Sequence, residues 1–362
     1  MPANDGATYA PQGKPNPVLR DGEAFPIAVA AMDHGHIHGQ VNGLVEAGAT
    51  LKWVFAAPEH ASDAAAMAER FGATVADSLD RVLGDPEVRL VAAAAVPSER
   101  AALGVRCMRA GKDYFTDKTP LTTLDQLDEV KAAVAETGRR YMVYFSERLH
   151  VECAVHAGTL IEQGAIGRVI HVTGFGPHRL GPPEKRPAWF YEHARYGGIL
   201  CDIGSHQIEQ FLHYAGCRDA TVQASKVGNF GHPGFPELED YGDCTLVGDN
   251  GATMFFRVDW FTPDGLRAWG DGRTFIVGTE GTIELRKYVD LANPGYVKDV
   301  LLLANADGEQ RMELEGQVGF PFFGRLIRDC LDGTETAMTQ AHALKAAELC
   351  VRAQLQAEKL EA

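Results

Sequence analysis

Three stretches of the chain place reactive residue types where a strand gives way to a helix or loop. The first, AAMDHGHIHGQ at 30–40, follows an apolar run and carries Asp33, His34, His36 and His38 around Gly35 and Gly39. The second, GKDYFTDKTPL at 111–121, puts Asp117 and Lys118 directly after a strand-like run. The third, GGILCDIGSHQIEQ at 197–210, sets Asp202 and His206 four apart across a helix start, so both can face one spot. A histidine titrating near neutrality suits proton transfer, and a lysine suits stabilising negative charge on a reacting oxygen. Plainer readings stand beside these: Lys118 as a surface lysine after a strand, and Asp202 as a helix cap with His206 incidental. His34, His36 and His38 alternate, but no carboxylate or cysteine pattern completes a zinc site, so no metal is expected.

The 30–40 stretch has the layout of a dinucleotide cradle: strand, tight turn, then a helical pattern from about Ile37. Glycines in such a loop permit the turn and let backbone N–H groups approach a pyrophosphate at the helix N-terminus. Here Ala31 stands at the first glycine position and Asp33 near the second, where its charge would oppose a diphosphate. At the end of the second strand, VFAAPEH has Ala56 and Ala57 where an acid for the adenosine ribose would lie, with Glu59 slightly late. An arginine suited to a 2′-phosphate is missing, and His60 is the partial substitute.

Positioning these residues requires a particular run of elements. Apolar runs at 27–32, 51–56, 90–95, 114–116 and 141–145 alternate with helical periods at 62–71, 99–110 and 124–136, two of which end in Gly72 and Gly111. That alternation argues for a parallel, doubly wound sheet covered on both faces. After Glu147 come helices near 151–163 and 203–214, separated by a proline- and aromatic-rich stretch, and then short alternating runs at 221–225, 243–248, 252–261, 274–278 and 282–286. These predict one larger sheet, mostly antiparallel or mixed. The expected fold class is α/β: a Rossmann-type doubly wound parallel sheet, then an α+β domain with a large mixed or antiparallel open sheet. The expected boundaries are an N-terminal arm at 1–24, the dinucleotide-type domain at 25–148, the α+β domain at 149–339 and a helix at 340–362 packing back on the body.

Composition narrows the chemistry. A chain of 362 residues with 45% hydrophobic content can bury a sizeable core, and a net charge of −15 gives no basic footprint for nucleic acid or an anionic membrane. Seven scattered cysteines without a C-x-x-C read as reduced thiols of a cytoplasmic protein. No apolar run reaches membrane-span length and the first residues lack a signal-peptide layout, so a soluble, unexported protein is expected.

The Asp117-Lys118-Thr119-Pro120 stretch, the Gly197-Gly198, Asp202, Gly204, His206 spacing and GTEGTIEL at 278–285 together make the sequence recognisable. From about Ile27 to the C-terminal helix it resembles the glucose-fructose oxidoreductase, inositol dehydrogenase and MocA (Gfo/Idh/MocA) family. Asp117-Lys118-Thr119 looks like a variant of that family's Glu-Lys-Pro motif, with departures concentrated in the nucleotide loop. The resemblance implies an oxidoreductase that moves a hydride between NAD or NADP, NAD ranking first, and a secondary alcohol or ketone of a sugar, polyol or cyclic alcohol. It implies His206 as base, Lys118 on the reacting oxygen and Asp202 orienting them. Nucleotide contacts are expected from Ala31, Asp33, His34, Gly35, His36, Ala57, Val96, Pro97, Asp117 and Lys118. Substrate contacts are expected from Lys118, Arg148, His178, Arg179, Trp189, Asp202 and His206. The family further implies a homo-oligomer, dimer or tetramer, through the second domain's sheet. Two rivals are nicotinamide-assisted elimination or glycoside cleavage through transient oxidation, and a non-enzymatic sugar or nucleotide sensor.

Overall fold

The computed structural model describes residues 6–293 and 295–361. Residues 1–5 of the expected arm lie outside that range. The chain divides into two compact units, one of residues 7–144 with 320–344 and the other of residues 145–319 with 345–361.

The first unit contains, in chain order, Pro26–Val29 (β1), His36–Glu46 (α1), Thr50–Val54 (β2), Ala61–Phe71 (α2), Thr74–Val75 (β3), Leu79–Leu83 (α3), Leu90–Ala93 (β4), Arg100–Arg109 (α4), Asp113–Asp117 (β5), Leu124–Thr137 (α5) and Tyr141–Tyr144 (β6). Its six strands pair in the order β3-β2-β1-β4-β5-β6, every pairing parallel. Strands β4, β5 and β6 are buried along their whole length, which is why β4 and β6 read as continuous apolar runs rather than alternating ones. Thr123 caps α5 by accepting the Gln126 N–H at 3.2 Å, and Gly138 ends that helix at φ 64°. Residues 10–20 run beside α1: Asn16 and Val18 donate their N–H groups to the carbonyls of Glu46 and Ala47. The helix Pro321–Asp332, which the sequence reading did not anticipate, adds Phe322 and Phe323 against Phe115.

The second unit contains Ser146–Leu149 (α6), Glu152–Glu162 (α7), Val169–Pro177 (β7), His193–Tyr196 (α8), Ile199–Asp202 (α9), Gly204–Ala215 (α10), Ala220–Gly228 (β8), Tyr241–Gly248 (β9), Thr253–Asp259 (β10), Arg273–Gly278 (β11), Gly281–Arg286 (β12), Val300–Asn305 (β13), Gly308–Glu313 (β14) and Glu358–Leu360 (β15). Nine strands form one sheet in the order β14-β13-β12-β11-β7-β10-β9-β8-β15. It is mixed, because β7 runs parallel to β10 and β8 parallel to β15 while the other pairs are antiparallel. Helix α10 lies on β7, and the approach is close enough to need glycine there. A Cβ at Gly174 would come within 2.2 Å of the Gln207 amide oxygen, and one at Gly176 within 3.0 Å of its nitrogen.

The expected C-terminal helix ends at Leu355, and residues 358–360 form β15 instead. All seven cysteines are free and six are buried. No helix among the described residues is long and apolar enough to cross a membrane.

Candidate functional site

In the first unit the loops after β1, β4 and β5 lie at the carboxyl ends of neighbouring strands. The strand order reverses between β1 and β4, the point where open α/β sheets bind ligands. Backbone bonds lace two of these loops together: Ala94 donates its N–H to the Ala31 carbonyl and His34 donates to that of Ala94. Ala31, Val96 and Pro97 are buried, whereas Asp33, His34, Gly35 and Ala57 are half-buried at the same end. Helix α1 starts behind Gly35, which brings no side-chain cap. The His36 N–H is instead taken by the Nδ1 of His34 at 3.2 Å. Burial, and then the neighbouring His36, pushes the His34 imidazole well below its ordinary range, which suits it to accepting that bond as a neutral ring. Gly39 has the packing role of a late cradle glycine, since a Cβ there would stand 2.5 Å from the Tyr144 hydroxyl oxygen.

Asp117 closes β5 with its carboxylate fully buried. One oxygen takes the His36 Nδ1 at 3.0 Å, and the other lies 3.4 Å from both the His34 Nδ1 and an Arg100 nitrogen. Burial raises the carboxyl, but His36 and Arg100 outweigh it and hold the group far below the usual carboxylate range. A carboxylate from outside the 30–40 stretch, Asp117, thus joins two of its histidines, and potential ligand atoms of His34, His36 and Asp117 lie within 4.8 Å of one another. A divalent ion would have to displace the His36 amide, the His36–Asp117 bond or Arg100, so hydrogen bonding already accounts for the cluster.

Arg100 is the organising group that sequence reasoning missed. Its guanidinium is 1% exposed and donates to the Ala95 carbonyl at 2.6 Å, the Thr119 carbonyl at 3.0 Å and the Lys118 carbonyl, besides facing Asp117. One planar fork thus holds the carbonyls of Lys118 and Thr119, which are joined by a cis peptide bond. At the start of a helix three residues after Pro97, nothing in its sequence position distinguishes it from a solvent-facing arginine.

The second unit holds the other expected residues. Gly197 and Gly198 both stand at φ 88°, a region favouring glycine, and a Cβ on Gly198 would collide with Gln354. Those glycines lead into α9, whose first amides go to side chains: Ile199 N–H to Glu239 at 2.9 Å and Leu200 N–H to Gln354 at 3.1 Å. Asp202 ends α9 half-buried, and His206, 1% exposed, sits in the first turn of α10. The N-cap of α10 is Ile203, which brings no side-chain cap.

Arg148 is engaged by Glu209 of α10, with Nε 2.8 and 2.9 Å from the two carboxylate oxygens, and so ties α6 to α10. Arg179 donates to the carbonyls of Pro263 and Leu266 and anchors that loop. Trp189 lies buried in a short turn against Phe190. His178 donates from Nδ1 to the Gly176 carbonyl at 3.1 Å and packs between the rings of Trp260 and Trp269. Its Nε2 lies 4.0 Å from Glu147, which also accepts from Lys287 Nζ at 2.9 Å and Gln207 at 3.0 Å.

Comparisons with known proteins agree with this division. The oxidoreductase family model described as an NAD-binding Rossmann fold matches residues 34–145, and the GFO/IDH/MocA C-terminal domain model matches residues 155–284. The scyllo-inositol 2-dehydrogenase (NAD(+)) of Bacillus subtilis strain 168 is 30% identical over 212 residues, covering 56% of this chain and 56% of that protein. The match thus spans about half the length of that curated relative. A solved structure of a candidate oxidoreductase from Erwinia carotovora atroseptica SCRI1043 is 48% identical, with 93% of this chain and 100% of that one covered at a TM-score of 0.88. A levoglucosan dehydrogenase solved with NADH and levoglucosan shares the fold at a TM-score of 0.74, with 19% identity over 92% of this chain and 96% of that one.

Proposed function

This chain belongs to the Gfo/Idh/MocA oxidoreductase family, and on that premise we propose that it is an NAD(P)-dependent dehydrogenase acting on a secondary alcohol or ketone of a sugar, polyol or related cyclic alcohol. The observation that carries the reading is the Arg100 fork, which fixes Lys118 at the carboxyl edge of β5 beside the strand-order reversal. The residues fit a dinucleotide at the strand-order reversal, where Gly39 lets α1 lie close on the sheet. Ala31, Asp33, His34, Gly35, His36, Ala57, Val96, Pro97, Asp117 and Lys118 would hold it. The bound nicotinamide supplies the hydride chemistry. Of this chain's own groups, Lys118 hydrogen-bonds the reacting oxygen and stabilises its negative charge, while His206 accepts the hydroxyl proton and Asp202 orients these partners. His178 and Trp189 belong to the proposed substrate wall. Arg148 and Arg179 support it through the contacts described above.

NAD is proposed ahead of NADP because no arginine directly follows the second strand and His60, the partial substitute, lies 3.5 Å from the Asp33 carboxylate. Titrating nucleotide-stripped protein with NADH and NADPH, followed by nicotinamide fluorescence and thermal melting, should give saturable binding, tighter for NADH. At a hundredfold excess over Kd the ligand should add about 2.7 kcal/mol of stability. Failure of both nucleotides to bind at millimolar concentration would overturn the dehydrogenase reading in favour of the sensor.

We assign self-association to the face of the nine-stranded sheet opposite α10. Phe255 is 36% exposed there, and Phe275, Val277 and Leu302 line a depression on the same face. Sedimentation velocity should find a dimer or tetramer, reduced to monomer by Phe255→Asp. A monomeric wild-type protein would refute the assignment.

A further inference from the structure

Beneath the first turns of α10 lies a buried charge cluster that the proposed reaction does not use directly. Glu147 of α6 and Lys287, just past β12, are each 1% exposed and form an ion pair, Lys287 Nζ to Glu147 Oε2 at 2.9 Å. Helix α10 is built into the pair: Gln207 donates to the same carboxylate oxygen at 3.0 Å, and Gln210 accepts from Lys287 at 2.7 Å. Gln210 also donates back to the His206 carbonyl at 2.8 Å. The two amides that engage the pair therefore stand next to His206 and one turn after it in the helix. The other carboxylate oxygen faces His178 at 4.0 Å.

A buried ion pair costs desolvation and is weak evidence for stability. Its place beside a proposed base suggests another role. A buried carboxylate near His206 favours the imidazolium, the form that cannot take a proton from an alcohol. A fixed ammonium on that carboxylate offsets the effect. We propose that Lys287, through its ion pair with Glu147, is a positioning residue that keeps His206 in the proton-accepting form at neutral pH. The inference rests on reading His206 as the base.

Burial raises Glu147, yet Lys287 first, then His206 and His178, bring it down to about 2, so the carboxylate is ionised beside Lys287. Other charged groups on elements packed around α10 already have partners. Glu209 holds Arg148, Asp259 holds Arg257 at 2.7 Å, Asp243 accepts the Tyr241 hydroxyl, and Glu152 accepts the amides of Val318 and Gly319. Asp202 at the end of α9 adds a second negative group near the start of α10.

The test is a pH titration of histidine side-chain nitrogens by NMR on the full 15N-labelled chain, with His206 assigned from a His206→Asn variant. Lys287→Met should raise the His206 midpoint by about one pH unit or more, and Glu147→Gln should lower it. The double variant, which removes both charges, should lie between the two. A structural role alone would not move the midpoint in opposite directions. Shifts of the same sign, or no shift, would overturn the proposal. Should Lys287→Met not fold, Glu147→Gln still decides, because its amide oxygen can accept from Lys287. The titration needs neither nucleotide nor substrate, so its outcome is separate from that of the dehydrogenase reading. Where turnover is measurable, the acid limb of kcat/KM should follow the same two directions.

Discussion

Lys118→Met should lower kcat and kcat/KM together by about 10²–10³-fold, with little change in the melting temperature. The expected size is that of removing one donor aimed at a developing oxyanion. The two parameters fall together because the interaction strengthens as charge builds on the oxygen. The fold should survive, because Arg100 holds the carbonyls of Lys118 and Thr119, contacts that the substitution leaves in place. Steady-state rates from nicotinamide absorbance, on whichever sugar or polyol the wild type turns over, decide the matter. Unchanged turnover in a folded Lys118→Met protein would remove the lysine from the mechanism.

Arg100→Leu should destabilise the protein by about 3–5 kcal/mol at pH 7, the cost of leaving a buried carboxylate without its cation. For a unit of this size that is a fall of roughly 6–20 °C in melting temperature. The deficit should narrow in acid. Asp117 is held far below its ordinary pKa of about 3.9, so its contribution is present above that value and is lost as pH falls below it toward the depressed folded value. Wild type should lose stability through that window faster than the variant. Arg100→Lys keeps the charge, but one ammonium cannot reproduce a fork that reaches three carbonyls and a carboxylate, so recovery should be partial. Melting curves from pH 7 to pH 3 provide the check. An Arg100→Leu melting point within about 2 °C of wild type at neutral pH would show that the fork is dispensable.

Local patterns were readable in the sequence and distant pairings were not. Strands β1, β2, β4, β5 and β6 are apolar runs of strand length between helical periods, and α10 begins one residue after the start predicted for it. Strands β13 and β14 were overlooked because VLLLANADGEQRME joins an apolar run to a charged one, and only their pairing makes a hairpin of them. The region around Lys118 was visible as Asp-Lys after a strand. Its support was not: Arg100, His36 and Asp117 are separated by up to 81 residues and meet only once β1, β4 and β5 are side by side. Lys287 likewise reads as an ordinary strand-end lysine in ELRKYVD until α6 and α10 enclose it.

The two ends of the large sheet restrict how copies of this chain can join. Strand β14 is exposed along nearly its whole length and alternates Glu309, Arg311 and Glu313, while β15 is three residues long and begins Glu-Lys. Charged or very short outer strands are poor templates for another strand. Lateral polymerisation into a fibre is therefore disfavoured at both margins, so of the sheet's surfaces its flat is the one left for the self-association proposed above.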